Sequence, residues 1–150
     1  MRFLPTLSTA TRPPQYDAVA HALYVYVGAS GDRRVATTHS SEGINFDCNS
    51  EGFVLGIEVL LNAADYLHRE EVTIPRLVSD GWHNFVLDDD PDIDDAQTYD
   101  ESNRILRIGI YDGAAPVFRI AKHAFVAPMT SGYVVVWISG LDLTKTTAGP

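Results

Sequence analysis

A chain of 150 residues with 45% hydrophobic content is long enough to bury a core without a covalent staple. Cys48 is its one cysteine, so an intramolecular disulfide and a multi-thiolate zinc site are both excluded. The net charge of −9 is concentrated: residues 88 to 101 hold Asp88, Asp89, Asp90, Asp92, Asp94, Asp95, Asp100 and Glu101 and no base, and the remainder is nearly neutral. No basic stripe is present, so a nucleic-acid partner is not expected.

No apolar run approaches the ~20 residues of a membrane helix. Met1 to Pro5 has no apolar run long enough for a signal peptide. The expectation is a soluble, cytoplasmic protein with no membrane partner.

Residues 1 to 15, with Pro5, Pro13 and Pro14, read as an extended arm that is mobile unless docked. Ala22 to Val27 is a strand by its β-branched and aromatic content, with Leu23, Val25 and Val27 on one face and Tyr24 and Tyr26 on the other. Gly28 to Asp32 reads as a turn, and Val35 to Thr38 as a short strand. Ile44 to Asp47 alternates, with Ile44 and Phe46 inward. Asn49 to Gly52 is a turn, and Val54 to Leu60 is a fourth strand.

Asn62 to Glu70 changes to helix-favouring residues, with Asp65 and Arg69 at an i,i+4 spacing. Pro75 suits the first turn of a short helix through Leu77 and Val78, ended by Gly81. Asp88 to Asp95 is an acidic loop.

A repeat follows. Tyr99-Asp100 and Ile105 to Ile110 align with Tyr16-Asp17 and Ala22 to Val27 at one offset. Asp112-Gly113 is a hairpin signal. Val117 to Ile120 and Ala124 to Val126 supply the middle strands. Ser131 to Ile138 matches Glu51 to Glu58 at an offset three residues smaller.

Tyr16-Asp17, Ala22-Leu23-Tyr24-Val25, the Asn45/Asp47 strand and Gly52 with Val54-Leu55-Gly56-Ile57-Glu58 together resemble one bacterial family, number 2283 among the domains of unknown function. The resemblance covers under a third of the chain, and its motifs are structural rather than catalytic. His21 departs from it, since an acid is usual before Ala-Leu-Tyr. A degenerate second copy over 99 to 141 has Val136-Trp137-Ile138 in place of Gly56-Ile57-Glu58. Members often sit beside small toxin genes, so the resemblance implies an antitoxin-like partner role.

The expected fold is mainly β with a minor helical segment. Two four-stranded antiparallel meanders form a sandwich or barrel with internal pseudo-twofold symmetry. The chain is one domain: arm 1–15, repeat one 16–60, helical linker and acidic loop 61–98, repeat two 99–143, tail 144–150. The core should join Leu23, Val25, Ile44, Phe46, Leu55 and Ile57 to Leu106, Ile108, Ile110, Val135 and Trp137. That leaves Val134, Val136 and Ile138 as an outer apolar row, covered by segment 61–86 or by a second subunit, and a homodimer is expected.

Candidate chemistry is sparse. Asp90, Asp92, Asp94 and Glu101 have the spacing of a calcium loop, but Asp95 stands where glycine is needed, and a solvated acidic loop is the plainer reading. His21, His39, His68, His83 and His123 form no metal-binding spacing, and no metal or cofactor is expected. His39, Ser40, Ser41 and Glu42 are neighbours without being a triad. Glu58, mid-strand with Gly56 on its face, is the most suggestive residue; as an ordinary sheet carboxylate it would be paired across strands or solvated. The candidate binding residues are Tyr24, Tyr26, Asn45 and Glu58. They suit a non-catalytic binding module that recognises a protein. The alternative is a small enzyme or small-molecule binder with a pocket between the repeats and Glu58 as acid or base.

Overall fold

The computed structural model describes residues 2–5, 14–17, 19–27, 31–41, 43–61, 72–75, 78–79, 81, 83–87, 92–94 and 96–141. Among them there are strands and no helix. The first sheet has the order β2 (Gln15–Asp17), β3 (Ala22–Tyr26), β6 (Val54–Leu60), β5 (Ile44–Cys48), β4 (Thr37–Ser41), with every neighbour antiparallel. The second has the order β9 (Gln97–Asp100), β10 (Ile105–Ile108), β13 (Val134–Ile138), β12 (Ala124–Pro128), β11 (Val117–Ala121), again antiparallel. A short parallel strand, β7 (Val78–Ser79), extends the second sheet beyond β11. A separate two-stranded ribbon pairs β1 (Arg2–Pro5) with β8 (His83–Val86).

The two sheets thus repeat one strand order, and neither closes into a barrel. The expected four-stranded meanders are corrected on two points. Tyr16-Asp17 and Tyr99-Asp100 belong to strands, so each antiparallel unit has five. The third strand in sequence of each unit does not lie beside the second: β6, not β4, is beside β3, and β13, not β11, is beside β10. Strands β3 and β4, consecutive in sequence, are separated in the sheet by β6 and β5, a Greek-key order. Asp112-Gly113 likewise lies in a crossing connection, where Asp112 Oδ1 accepts the N–H groups of Ala114 (2.8 Å) and Ala115 (3.0 Å).

The inner faces share one apolar core. It joins Leu23, Val25, Ile44, Phe46, Ile57 and Val59 to Leu106, Ile108, Val126, Val134, Val136 and Ile138. Strand β8 adds Phe85, whose ring meets Phe46 edge-on at 6.2 Å. Residues Arg2–Pro5 are therefore docked as a strand rather than a free arm. The helix expected over Asn62 to Glu70 lies outside the described residues. No helix forms around Pro75: residues 72–75 have no regular structure, and Val78 opens β7.

Four of the expected core positions are corrected. Ile110 is 61% exposed beyond the end of β10. Val135 and Trp137 face outward in a second cluster, while Val134, Val136 and Ile138 face the core. The cause is a bulge in β6. Asp47 pairs with Gly56 and Cys48 with Val54, so Leu55 has no partner on β5, and it belongs to neither cluster. Strand β13 has no such interruption against β12. One added residue exchanges the two faces of a strand, so Glu58 corresponds in the pairing to Trp137 and not to Ile138.

The turns reproduce the same correspondence. Tyr16 pairs with Leu23 as Tyr99 pairs with Leu106. Asp17 Oδ1 accepts the N–H of Val19 (2.9 Å) and Ala20 (3.2 Å), and Asp100 Oδ1 accepts that of Asn103 (3.1 Å). Each hairpin then passes through a left-handed residue, His21 (φ 52°) and Arg104 (φ 56°), the two non-glycine residues of positive φ among those described. Their carbonyls accept the N–H of Leu61 (2.7 Å) and Leu141 (3.1 Å).

Candidate functional site

Side chains alternate along each strand, so the outer face of the first sheet is built from every second residue. One row across the sheet reads Gln15, Tyr24, Glu58, Asn45, Ser40; the next reads Tyr26, Gly56, Asp47, Thr38. The four expected residues Tyr24, Tyr26, Asn45 and Glu58 therefore stand together, each half-buried.

Each of the four makes a hydrogen bond to a neighbour on this face. The Tyr24 hydroxyl donates to Asp47 Oδ2 at 2.9 Å, crossing Gly56 to reach it. The Thr38 hydroxyl donates to Asp47 Oδ1 at 2.8 Å. Asn45 Nδ2 donates to Glu58 Oε1 at 2.9 Å. The Tyr26 hydroxyl donates to Gln15 Oε1 at 3.2 Å. The rings of Tyr24 and Tyr26 meet edge-on at 5.0 Å. Burial, and next the bond to Asp47, push the Tyr24 hydroxyl well above the usual tyrosine range. Tyr24 is thus a held donor, not a proton acceptor in waiting.

Asp47, Thr38 and Gln15 complete the array and were not among the expected binding residues. Asp47 alternates with Asn45, which was a usable signal. Thr38 and Gln15 carry none, because their membership depends on strand pairing. Gly56 was expected to admit a close approach; the group that approaches is Tyr24.

The other candidates do not converge. Cys48 faces inward, and burial, with Asp47 second, pushes its thiol up to about 11. His39 and Ser40 are adjacent in β4 and so point to opposite faces. His83 meets Phe118 edge-on at 5.2 Å. The Tyr16 hydroxyl lies 3.5 Å from His21 Nδ1. Among the described residues no three His, Cys, Asp or Glu side chains come together to hold a metal. Asp90 and Asp95 of the acidic loop lie outside them.

The second sheet's outer face is different in kind. Arg107 stands at the place of Tyr24, Phe125 at that of Asn45, Ala127 at that of Asp47 and Trp137 at that of Glu58. Val72 and Ile74 pack with Phe125, Ala127, Val135 and Trp137, and Val78 joins the same cluster from the edge strand β7, so the chain's own residues cover part of this apolar face. Cover from segment 61–86 was expected, though for Val134, Val136 and Ile138; those three are internal, and a dimer is not needed to hide them.

The first sheet is also where the chain resembles known sequences. Residues 15–61 match the family described as "Protein of unknown function (DUF2283)". The matched span runs from β2 to the end of β6, so the likeness falls on the first sheet, its Tyr-Asp hairpin and its polar face. The second sheet lies outside the match. No curated protein and no solved structure matches the chain.

Proposed function

We propose that this protein is a non-catalytic binding module that recognises another protein through the outer face of its first sheet. Tyr24, Tyr26, Asn45 and Glu58 are the binding residues, with Asp47 and Thr38 holding Tyr24 in place. The supporting observation is the fixed array of aromatic and polar groups on an open sheet. Tyrosines with an apolar ring and a polar tip suit a protein interface. The array also lacks the linked nucleophile, base and orienting group that covalent catalysis needs.

The chain is, in this reading, a duplicated DUF2283 unit. The first copy keeps the polar face, and the second has become a supporting half whose own face is covered. Equal strand order, the paired left-handed residues His21 and Arg104, and the matching turns of Gly52 and Gly132 support duplication. A pocket between the repeats with Glu58 as acid or base has no support in this geometry. Apolar side chains fill the space between the sheets, and Glu58 stands on the opposite face. A homodimer rests on the edge strands alone, of which β4 is the longest open one in the first sheet.

The test is affinity capture with the full chain and with Tyr26→Ala and Glu58→Ala. A specific protein held by the parent and lost by both variants, with melting unchanged, is the expected result. A partner retained by both variants removes this face from the function.

A further inference from the structure

We propose that the first outer face takes an extended, arginine-bearing segment of the partner protein. This rests on the binding reading above and names the partner's chemistry. The two sheets have the same strand order, and the outer face of the second is covered in part: Val72 and Ile74 pack with Phe125, Ala127, Val135 and Trp137. An apolar face is met by apolar side chains. The first face is met by no such segment among the described residues, and its chemistry asks for a different one.

Asp47 and Glu58 are its charged groups, and no lysine or arginine stands in either row. Asp47 already accepts hydroxyl protons at both oxygens. Glu58 accepts one bond, at Oε1 from Asn45, and among the described residues its Oε2 accepts none. A guanidinium reaching Oε2 would find the tyrosine rings beside it, and a planar cation stacks on such rings while it bonds a carboxylate. The second sheet carries the same kind of contact internally, the Arg119 guanidinium standing 5.4 Å from the centre of the Phe125 ring. At the far end of the face Leu60, in β6 two residues beyond Glu58, is 46% exposed and offers an apolar contact. The two rows stand about 7 Å apart along the strands, the spacing of alternate side chains in an extended peptide. Two carboxylates with no base in either row favour a basic segment at this face and disfavour a phosphate backbone.

The probe is a short synthetic peptide alternating arginine and threonine, titrated into the isotope-labelled full chain and followed by amide shifts. The comparison peptide has glutamate for arginine. Shifts should gather in β3, β5 and β6, and the glutamate peptide should leave the spectrum unmoved. Glu58→Gln keeps an oxygen for Asn45 and should still fold; it should weaken the arginine peptide about tenfold, the loss of one charge-assisted pair. Shifts gathered on residues 92–101, equal affinity in Glu58→Gln, or binding of the glutamate peptide would each overturn the proposal. Should the capture experiment yield a partner lost in Tyr26→Ala while the arginine peptide is ignored, the binding reading stands and this inference falls.

Discussion

The ring of Tyr24 occupies the space that a side chain at position 56 would need. A β-carbon built on Gly56 falls onto the Tyr24 hydroxyl and Cζ and within 2.6 Å of Cε1. A glycine in mid-strand ordinarily weakens a sheet, and an aromatic ring laid over it from the next strand restores the lost packing. The same placement lets Tyr24 reach past β6 to Asp47 on β5.

Gly56→Ala should therefore displace Tyr24 and break its bond to Asp47. The expected cost is about 1–3 kcal/mol, the range for overpacking a tight site. In a Tyr24→Ala background the same change should cost little or improve stability, because the methyl then fills vacant space. Denaturant midpoints of the four combinations measure the coupling. Additive losses would mean that Tyr24 and Gly56 do not share this space.

The Tyr24 hydroxyl predicts an alkaline effect. Its proton is held more tightly in the folded protein than in the unfolded chain, where tyrosine titrates near 10. The folded state is favoured fully below about pH 10 and loses this contribution as pH rises beyond it. Tyr24→Phe should flatten the fall in stability above pH 10. It should also cost about 1 kcal/mol at neutral pH for the lost bond. Melting temperature against pH for both proteins decides the matter.

Asn49 ties the β5–β6 turn to the crossing connection. Its Oδ1 accepts the N–H of Glu51 (3.0 Å) and Phe53 (3.0 Å), and its Nδ2 donates to the carbonyl of Asp32 (3.0 Å). Asn49→Ala should destabilise the fold by about 1–3 kcal/mol, since three part-buried backbone groups lose their partner together. Asn49→Asp should keep the turn bonds and lose the one to Asp32. Equilibrium unfolding of both variants separates the two contributions.

Asp100 predicts an acid effect. The Asn103 side chain, whose Nδ2 donates at 2.7 Å, is the main cause that holds its carboxyl below the usual range, and backbone N–H groups add to it. The stability from this group is complete above about pH 4 and is lost as pH falls through the lowered folded value. Asp100→Asn should make stability less sensitive to pH in that window. An unchanged acid slope would show that Asp100 is not the group responsible.

Much of the fold was legible because alternation is a strong signal. Leu23, Val25, Ile44, Phe46 and Ile57 read as inward from period alone, and they are. The repeat was legible through Tyr99-Asp100, since a buried tyrosine and a turn-holding aspartate must keep their spacing. What period cannot report is a bulge. Nothing in Val54 to Leu60 marks Leu55 as the residue unpaired with β5, yet it decides which of Trp137 and Ile138 matches Glu58. Strand order was also beyond local reading, because a turn signal at Gly28 does not say how far the chain travels before pairing again. On the site, Tyr24, Tyr26, Asn45 and Glu58 were placed on one face by period and neighbourhood. The bonds that join them through Asp47 needed the register.

The ribbon of β1 and β8 bears on how the chain must come together during synthesis. Arg2 to Pro5 are made before the strands of the first sheet, but their partners are His83 to Val86, so β1 must wait until that whole sheet has been made. Until then the inner face of the first sheet, with Phe46 and Ile57, has neither Phe85 nor the second sheet to cover it. Pairings between distant parts of a chain close slowly, and apolar surface left open in the meantime invites aggregation. A nascent chain halted just beyond Leu61 would carry the complete polar face on a sheet whose other side is still wet. Its dependence on chaperones should therefore persist until residue 138, the end of the second sheet, has emerged.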